Sequence, residues 1–203
     1  MVYLIILKYF GHYIGDAHVP LHTTENYNGQ MTNQKGIHGL WESRLVEINA
    51  EDYDYFVGKA GYKKYVQDYI WDAVKGSHKA LDSVLRIEKE LTKSFPTDRK
   101  YSYEQRGNTT ISTYSREFCE LYHNQMNGMV ERRLKAAVLA VGSIWYTAWV
   151  DAGQPDLKSL QNRHLRVTLV ELSSILSKRL SIREQKAMQV KAGQFNLQLL
   201  INA

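Results

Sequence analysis

The stretch His12-Tyr-Ile-Gly-Asp16-Ala-His18-Val-Pro20-Leu-His22 is followed, after a Gly/Asn/Gln-rich loop, by His38-Gly-Leu-Trp-Glu42. An α-helix turns once in about 3.6 residues, so side chains at i and i+4 stack on one face. His12 with Asp16 makes one imidazole–carboxylate pair at that spacing, and His38 with Glu42 makes a second. The turn between the two pairs carries His22. A lone pair of this kind is ordinarily a solvated contact of about 0.2–0.5 kcal/mol. Two pairs joined by a third imidazole are different. His12, Asp16, His22, His38 and Glu42 together form a zinc-type ligand set of nitrogen and oxygen donors.

That pattern, His-x3-Asp-x-His-x-Pro-Leu-His followed by His-x3-Glu, resembles the zinc-dependent phospholipase C and fungal single-strand-specific nuclease superfamily. The resemblance implies an all-α, multi-helix fold around up to three zinc ions that hydrolyses phosphate esters. Carried over, His12 binds one zinc and Asp16 bridges a pair as the catalytic carboxylate. His22, His38 and Glu42 hold the remaining ion, with one position open for water or a phosphoryl oxygen. Glu42 in place of Asp, and the short loop from His22 to His38, look more like the phospholipase C branch. Residues 1 to about 154 look like the later half of bacterial members. In the family an earlier half supplies the remaining ligands and the proposed general base, so the resemblance implies an N-terminally truncated member. It also implies a secreted or periplasmic protein, although no export signal is visible in this sequence.

Other residues near the ligands keep more than one reading. His18, two positions past Asp16, is expected to be a supporting or surface group. Asn26-Tyr-Asn28-Gly-Gln30 offers amides that would hydrogen-bond a substrate or orient ligands, but Asn and Gly also favour plain turns. Trp41 is expected in the core, the alternative being a stacking surface for a base or headgroup. His78, His123 and His164 have no acidic or Cys partner at ligand spacing, and Glu120 with His123 reads as an exposed i, i+3 contact.

The chain has 203 residues, 44% hydrophobic and 23% charged, an ordinary globular composition able to bury one sizeable core. Three Pro and long periodic segments favour helices. Cys119 is the one cysteine, which rules out an intrachain disulfide. No apolar run approaches the roughly 20 residues of a membrane span. Charge is uneven. From Gln161 to Ala203 seven basic residues face two acidic ones, so this tail accounts for the whole net charge of +5. The neutral remainder gives no electrostatic argument for binding a polyanion.

Periodicity predicts a helix over 2–17, ended by Val19-Pro20, and a second over 38–49. A long amphipathic helix follows over 62–94, bent near Gly76, with Val66, Ile70, Val74, Leu81, Leu85 and Leu91 inward. Phe95-Pro96 stops it, 97–110 reads as a polar connector, and 112–150 as one or two helices. Ala136 to Val150, apolar on nearly all sides, is expected to be the central core element. Residues 1–156 are therefore taken as the zinc-binding helical domain. Residues 157–203 read as a basic helical tail, a route to an oligomer, with Leu165, Leu169, Leu172, Leu176 and Leu180 at helical spacing.

Two functions follow. The first is a zinc-dependent hydrolase acting on a phospholipid headgroup or single-stranded nucleic acid. The alternative is a catalytically impaired zinc-binding module that acts through a partner.

Overall fold

The computed structural model describes residues 2–160, with side chains from 9 to 158, and the tail helices expected from Leu165 onward lie outside the described residues. One compact unit is Ile6–Pro155; the other comprises Met1–Ile5 and Asp156–Ala203, of which Val2–Ile5 and Asp156–Leu160, with α7 (Leu157–Leu160), are described. Helix α1 spans Val2–Asp16, and a 3-10 turn, Pro20–Thr23, follows it. After a long loop come α2 (Ile37–Gly39), a π-helical turn (Leu40–Arg44) and α3 (Leu45–Asn49). Helix α4 runs Val66–Ser94, β1 Tyr101–Arg106, β2 Thr109–Tyr114, α5 Arg116–Gln125 and α6 Met129–Asp151.

The strands correct the all-α expectation. Where a polar connector and the start of a helix were expected, β1 pairs antiparallel with β2, Tyr101 opposite Tyr114 and Arg106 opposite Thr109. The chemistry for a hairpin is present in Tyr, Thr and Ile, which suit a pleated surface, around a two-residue Gly107-Asn108 loop. Gly107 carries the positive φ, 59°, that a type II′ turn puts at its first central residue. Polarity concealed the strand pattern, because most of the hairpin faces solvent. The fold is mixed, with helices dominant and one small sheet.

The hairpin is clamped to the back of α3. Arg44 donates from Nε to the Tyr114 carbonyl at 3.2 Å and also pairs with Glu104, while Arg106 pairs with Glu47 at 2.6 Å. Tyr114 and, from α5, Phe118, Cys119 and Tyr122 enter the main core. There they meet Ile37, Leu40, Trp41 and Leu45 from the 37–49 segment and Leu81, Val84, Ile87 and Leu91 from α4. Of the inward positions expected on α4, Leu81 and Leu91 are buried and Leu85 packs half-buried against them. Val66 and Ile70 belong to a smaller cluster around Ile14, Ala140 and Ile144.

Ala136 to Val150 is not the central element. On α6 the residues buried in that stretch are Ala140, Ser143, Ile144 and Thr147, whereas Val138, Trp145 and Tyr146 are 47%, 43% and 40% exposed. Large apolar residues lie on both its buried and its exposed faces, so hydropathy alone does not place it in the core. The region 112–150 divides at Asn127-Gly128. Both take left-handed backbone (φ 48° and 71°), which ends α5. Among the described residues no helix is long and apolar enough to cross a membrane.

Candidate metal centre

Three short elements aim the ligands. Helix α1 ends at Asp16, and Val19, in extended backbone, leads into Pro20, which suits the first position of the 3-10 turn because it has no N–H to satisfy. Leu21 is fully buried in the main core, so the turn is pinned and His22 emerges beside it. The loop that follows is shaped by its own amides. Asn26 accepts from the Met31 N–H at 2.8 Å and donates to Thr32, and Asn28 Oδ1 accepts from the Gly36 N–H at 3.0 Å. Gln30 donates to the Glu25 carbonyl at 2.6 Å. Gly29 has φ 72°, and a Cβ there would stand 2.3 Å from the Gln34 carbonyl oxygen. The Asn26–Gln30 amides therefore serve the turn itself.

Gln34 ties this loop to α4, donating to the Leu85 carbonyl at 2.7 Å and to Glu88 at 2.5 Å. Buried Glu88 is paired with Lys100 at 2.9 Å. This network spans 54 positions from Gln34 to Glu88, and no local signal announces it. In the 37–49 segment Ile37, Leu40, Trp41 and Leu45 face the core, which turns His38 and Glu42 outward. The π turn contains Glu42, its wide ring closed by the Leu45 N–H to the Leu40 carbonyl. Such turns are common at functional sites.

The result is a convergence. His22 Nε2 lies 2.9 Å from His38 Nε2 and 3.3 Å from Glu42 Oε2, and His38 Nε2 lies 2.6 Å from the same oxygen. Among the described residues these three form the group able to hold a metal ion. Ligand atoms about 2.0–2.1 Å from one tetrahedral centre stand about 3.3 Å apart. The observed separations, 2.6 to 3.3 Å, close on that spacing from below.

Protons satisfy this triangle only in part. If one Nε2 donates to the other, the accepting ring has no Nε2 proton for Glu42, and two lone pairs face each other. If both donate to Glu42, two N–H groups crowd onto one carboxylate oxygen with their nitrogens 2.9 Å apart. A cation at the focus would let all three donor lone pairs point at one positive charge.

Asp16 and His12 sit beside this group and outside it. Asp16 Oδ1 is 3.6 Å from His22 Nδ1, on the far side of the ring from Nε2, and Asp16 Oδ2 is 3.5 Å from His12 Nε2. The His12 side chain is 69% exposed. Of the five expected ligands, the structure brings three to one point and leaves Asp16 facing the other nitrogen of His22 at 3.6 Å, just beyond hydrogen-bond distance.

The electrostatics agree with that arrangement. Hydrogen bonds from the His22 and His38 imidazoles hold the Glu42 carboxyl well below the usual carboxylate range. His22 is raised, first by its hydrogen bond to Glu42, against the opposing effect of burial, with the charge of Asp16 adding to the rise.

The other histidines of the described residues have their own partners, and His164 lies outside the described residues. His18 is buried, its Nδ1 donating to the Ile14 carbonyl at 2.8 Å, and burial lowers its pKa. His123 does not use Glu120, which pairs with Arg116 at 3.7 Å; it stacks on Tyr53, whose Oη is 2.9 Å from His123 Nε2. His78 Nδ1 lies 3.2 Å from Thr23 Oγ1, a hydroxyl 55 positions away that ligand spacing could not disclose. Trp41 is buried in the core.

No family model, curated protein or solved structure matches the chain.

Proposed function

We propose that the protein is a zinc-dependent hydrolase of phosphate esters. The observation that carries this reading is the meeting of His22, His38 and Glu42 head groups within 3.3 Å of one another. Two imidazoles and a carboxylate suit zinc, and three protein ligands are the usual complement of a catalytic site with one open position. When bound, zinc supplies Lewis-acid polarisation of a phosphoryl oxygen and makes a water acidic enough to attack near neutral pH.

The chain's own residues do the rest. Glu42 stays ionised and offers a negative oxygen to the cation. His22 needs its Nε2 lone pair free, so its proton belongs on Nδ1, the side that Asp16 faces. Trp41 and Leu40, buried behind the ligand helix, exclude water from its rear. The choice of phosphate esters rests on the ligand pattern's resemblance to the zinc-dependent phospholipase C and single-strand nuclease superfamily. The same resemblance supports a phospholipid headgroup or single-stranded nucleic acid as substrate, and a secreted or periplasmic location.

A second reading, a non-catalytic zinc-binding helical module, is favoured by one feature. His12 stays 69% exposed and does not join the ligand group. A metal count by plasma emission after zinc loading and dialysis, paired with turnover of a chromogenic phosphodiester, separates the two. Bound zinc with chelator-sensitive turnover supports the hydrolase. Bound zinc without turnover supports the module, and no retained zinc overturns both.

A further inference from the structure

The corner between α1 and the Pro20–Thr23 turn joins Asp16 to His22, and it is held from two other helices. Its local bonds are ordinary: the His18 N–H donates to the Gly15 carbonyl at 2.8 Å and the Val19 N–H to the Asp16 carbonyl at 3.0 Å. That leaves the Ala17 and His18 carbonyls, which a helix C-terminus must satisfy from elsewhere. Ser77 of α4 donates to the Ala17 carbonyl at 2.6 Å. Arg133 of α6, 115 positions from His18, donates from Nε to the His18 carbonyl at 2.9 Å. Its Nη2 donates to the Ala73 carbonyl at 3.0 Å and to Ser77 Oγ.

Arg133 is half-buried, and among the described residues no carboxylate is ion-paired with it. Its partners are the corner and the helix behind it. A guanidinium is suited to this because its planar fork reaches several acceptors at once. Its charge also favours the negative end of α1. Room for it comes from Gly76, where a Cβ would stand 3.3 Å from Arg133 Nη1.

We propose that Arg133, through Ser77 and the His18 carbonyl, is a positioning residue for the metal centre. It sets the angle at which His22 leaves the corner and keeps Asp16 facing His22 Nδ1. This rests on the metal reading above. A loosened corner lets the His22 ring swing while His38 and Glu42, carried on a separate helix, stay in place.

The test uses the full chain as wild type, Arg133→Met, Arg133→Lys, Gly76→Ala and, as a control, Tyr122→Phe. Cobalt(II) binding, the visible spectrum of the cobalt-loaded protein, and amide hydrogen exchange in the metal-free protein are measured. Arg133→Met is expected to weaken cobalt binding about 10-fold or more, the range for losing a group that orients a ligand. Its visible bands should also change shape, and amides 18, 19 and 22 should exchange faster. Arg133→Lys keeps the charge but not the fork, so it should resemble Arg133→Met. Gly76→Ala gains helix propensity and stays folded, yet presses on Nη1; a cobalt affinity about 3-fold weaker is expected. Tyr122→Phe removes a buried hydrogen bond to the Val84 carbonyl, away from the corner, and should leave the spectrum unchanged.

Wild-type affinity and spectrum in Arg133→Met, or weakened binding with unchanged bands and unchanged exchange at the corner, overturns the proposal. If wild type takes up no cobalt, the metal reading fails, and the exchange of amides 18, 19 and 22 still decides whether Arg133 holds the corner.

Discussion

His12 with Asp16 and His38 with Glu42 have the same sequence spacing and the same donor types, yet they end differently. The first pair stands 3.5 Å apart with its imidazole 69% exposed, and the second closes to 2.6 Å and meets His22. Helical spacing brings an acid and an imidazole within reach, which is worth little by itself. A site needs a third head group from another element, and rigid packing to hold it there. His38 and Glu42 have a buried helix face behind them and the locked Asn26–Gly36 loop before them. Among the described residues, the ion pair and the ring contact of His12 are both with its own helix, Asp16 and Tyr13.

The sharpest way to break this contrast is to remove one imidazole from each pair. His38→Ala should weaken zinc binding about 100-fold or more, since two remaining ligands cannot replace a lost one, read by competition with a chromophoric chelator. His12→Ala under the same conditions should change affinity less than about 3-fold. Equal losses would mean that both pairs ligate and that His12 turns inward on binding.

Gly29→Ala tests whether the loop is what carries His38 into place. A Cβ 2.3 Å from the Gln34 oxygen at φ 72° should cost about 2 kcal/mol or more in thermal or urea unfolding, and zinc affinity should fall with it. Full stability in this variant would show that the loop can re-form without the glycine.

The pH dependence of the metal-free chain is a smaller effect. His22 binds its proton more tightly folded than unfolded, so its contribution is present below the unfolded value near pH 6.5. It fades as pH rises through the raised folded value. The stability difference between wild type and His22→Gln should therefore shrink as pH climbs past neutrality. Zinc affinity should run the other way, increasing with pH, because the ligand is the neutral imidazole. A difference that grows with pH in the metal-free protein would contradict the assignment of Glu42 as the partner of His22.

Much of this molecule is legible along the chain. The 3.6-residue rhythm locates α1, the ligand segment near His38 and most of α4, and the last two bury a stripe at that period. The hairpin was hidden because its strands are polar and lean on the protein through Tyr114 and the Arg44 clamp. Hydropathy overrated α6 because large apolar residues such as Val138, Trp145 and Tyr146 stand on its exposed face.

Local spacing alone determined that two imidazole–carboxylate pairs and a connecting imidazole exist, and that the first helix stops short of Pro20 and His22. Which of those groups share a focus was decided only by tertiary contacts. Leu21 in the core, Gln34 on Glu88, Arg133 on the His18 carbonyl and the packed face of the 37–49 helix act across about 50 to 115 positions. The reason is geometric. A helix specifies distances between its own side chains, but the angle between two helices is set by what packs in the space between them.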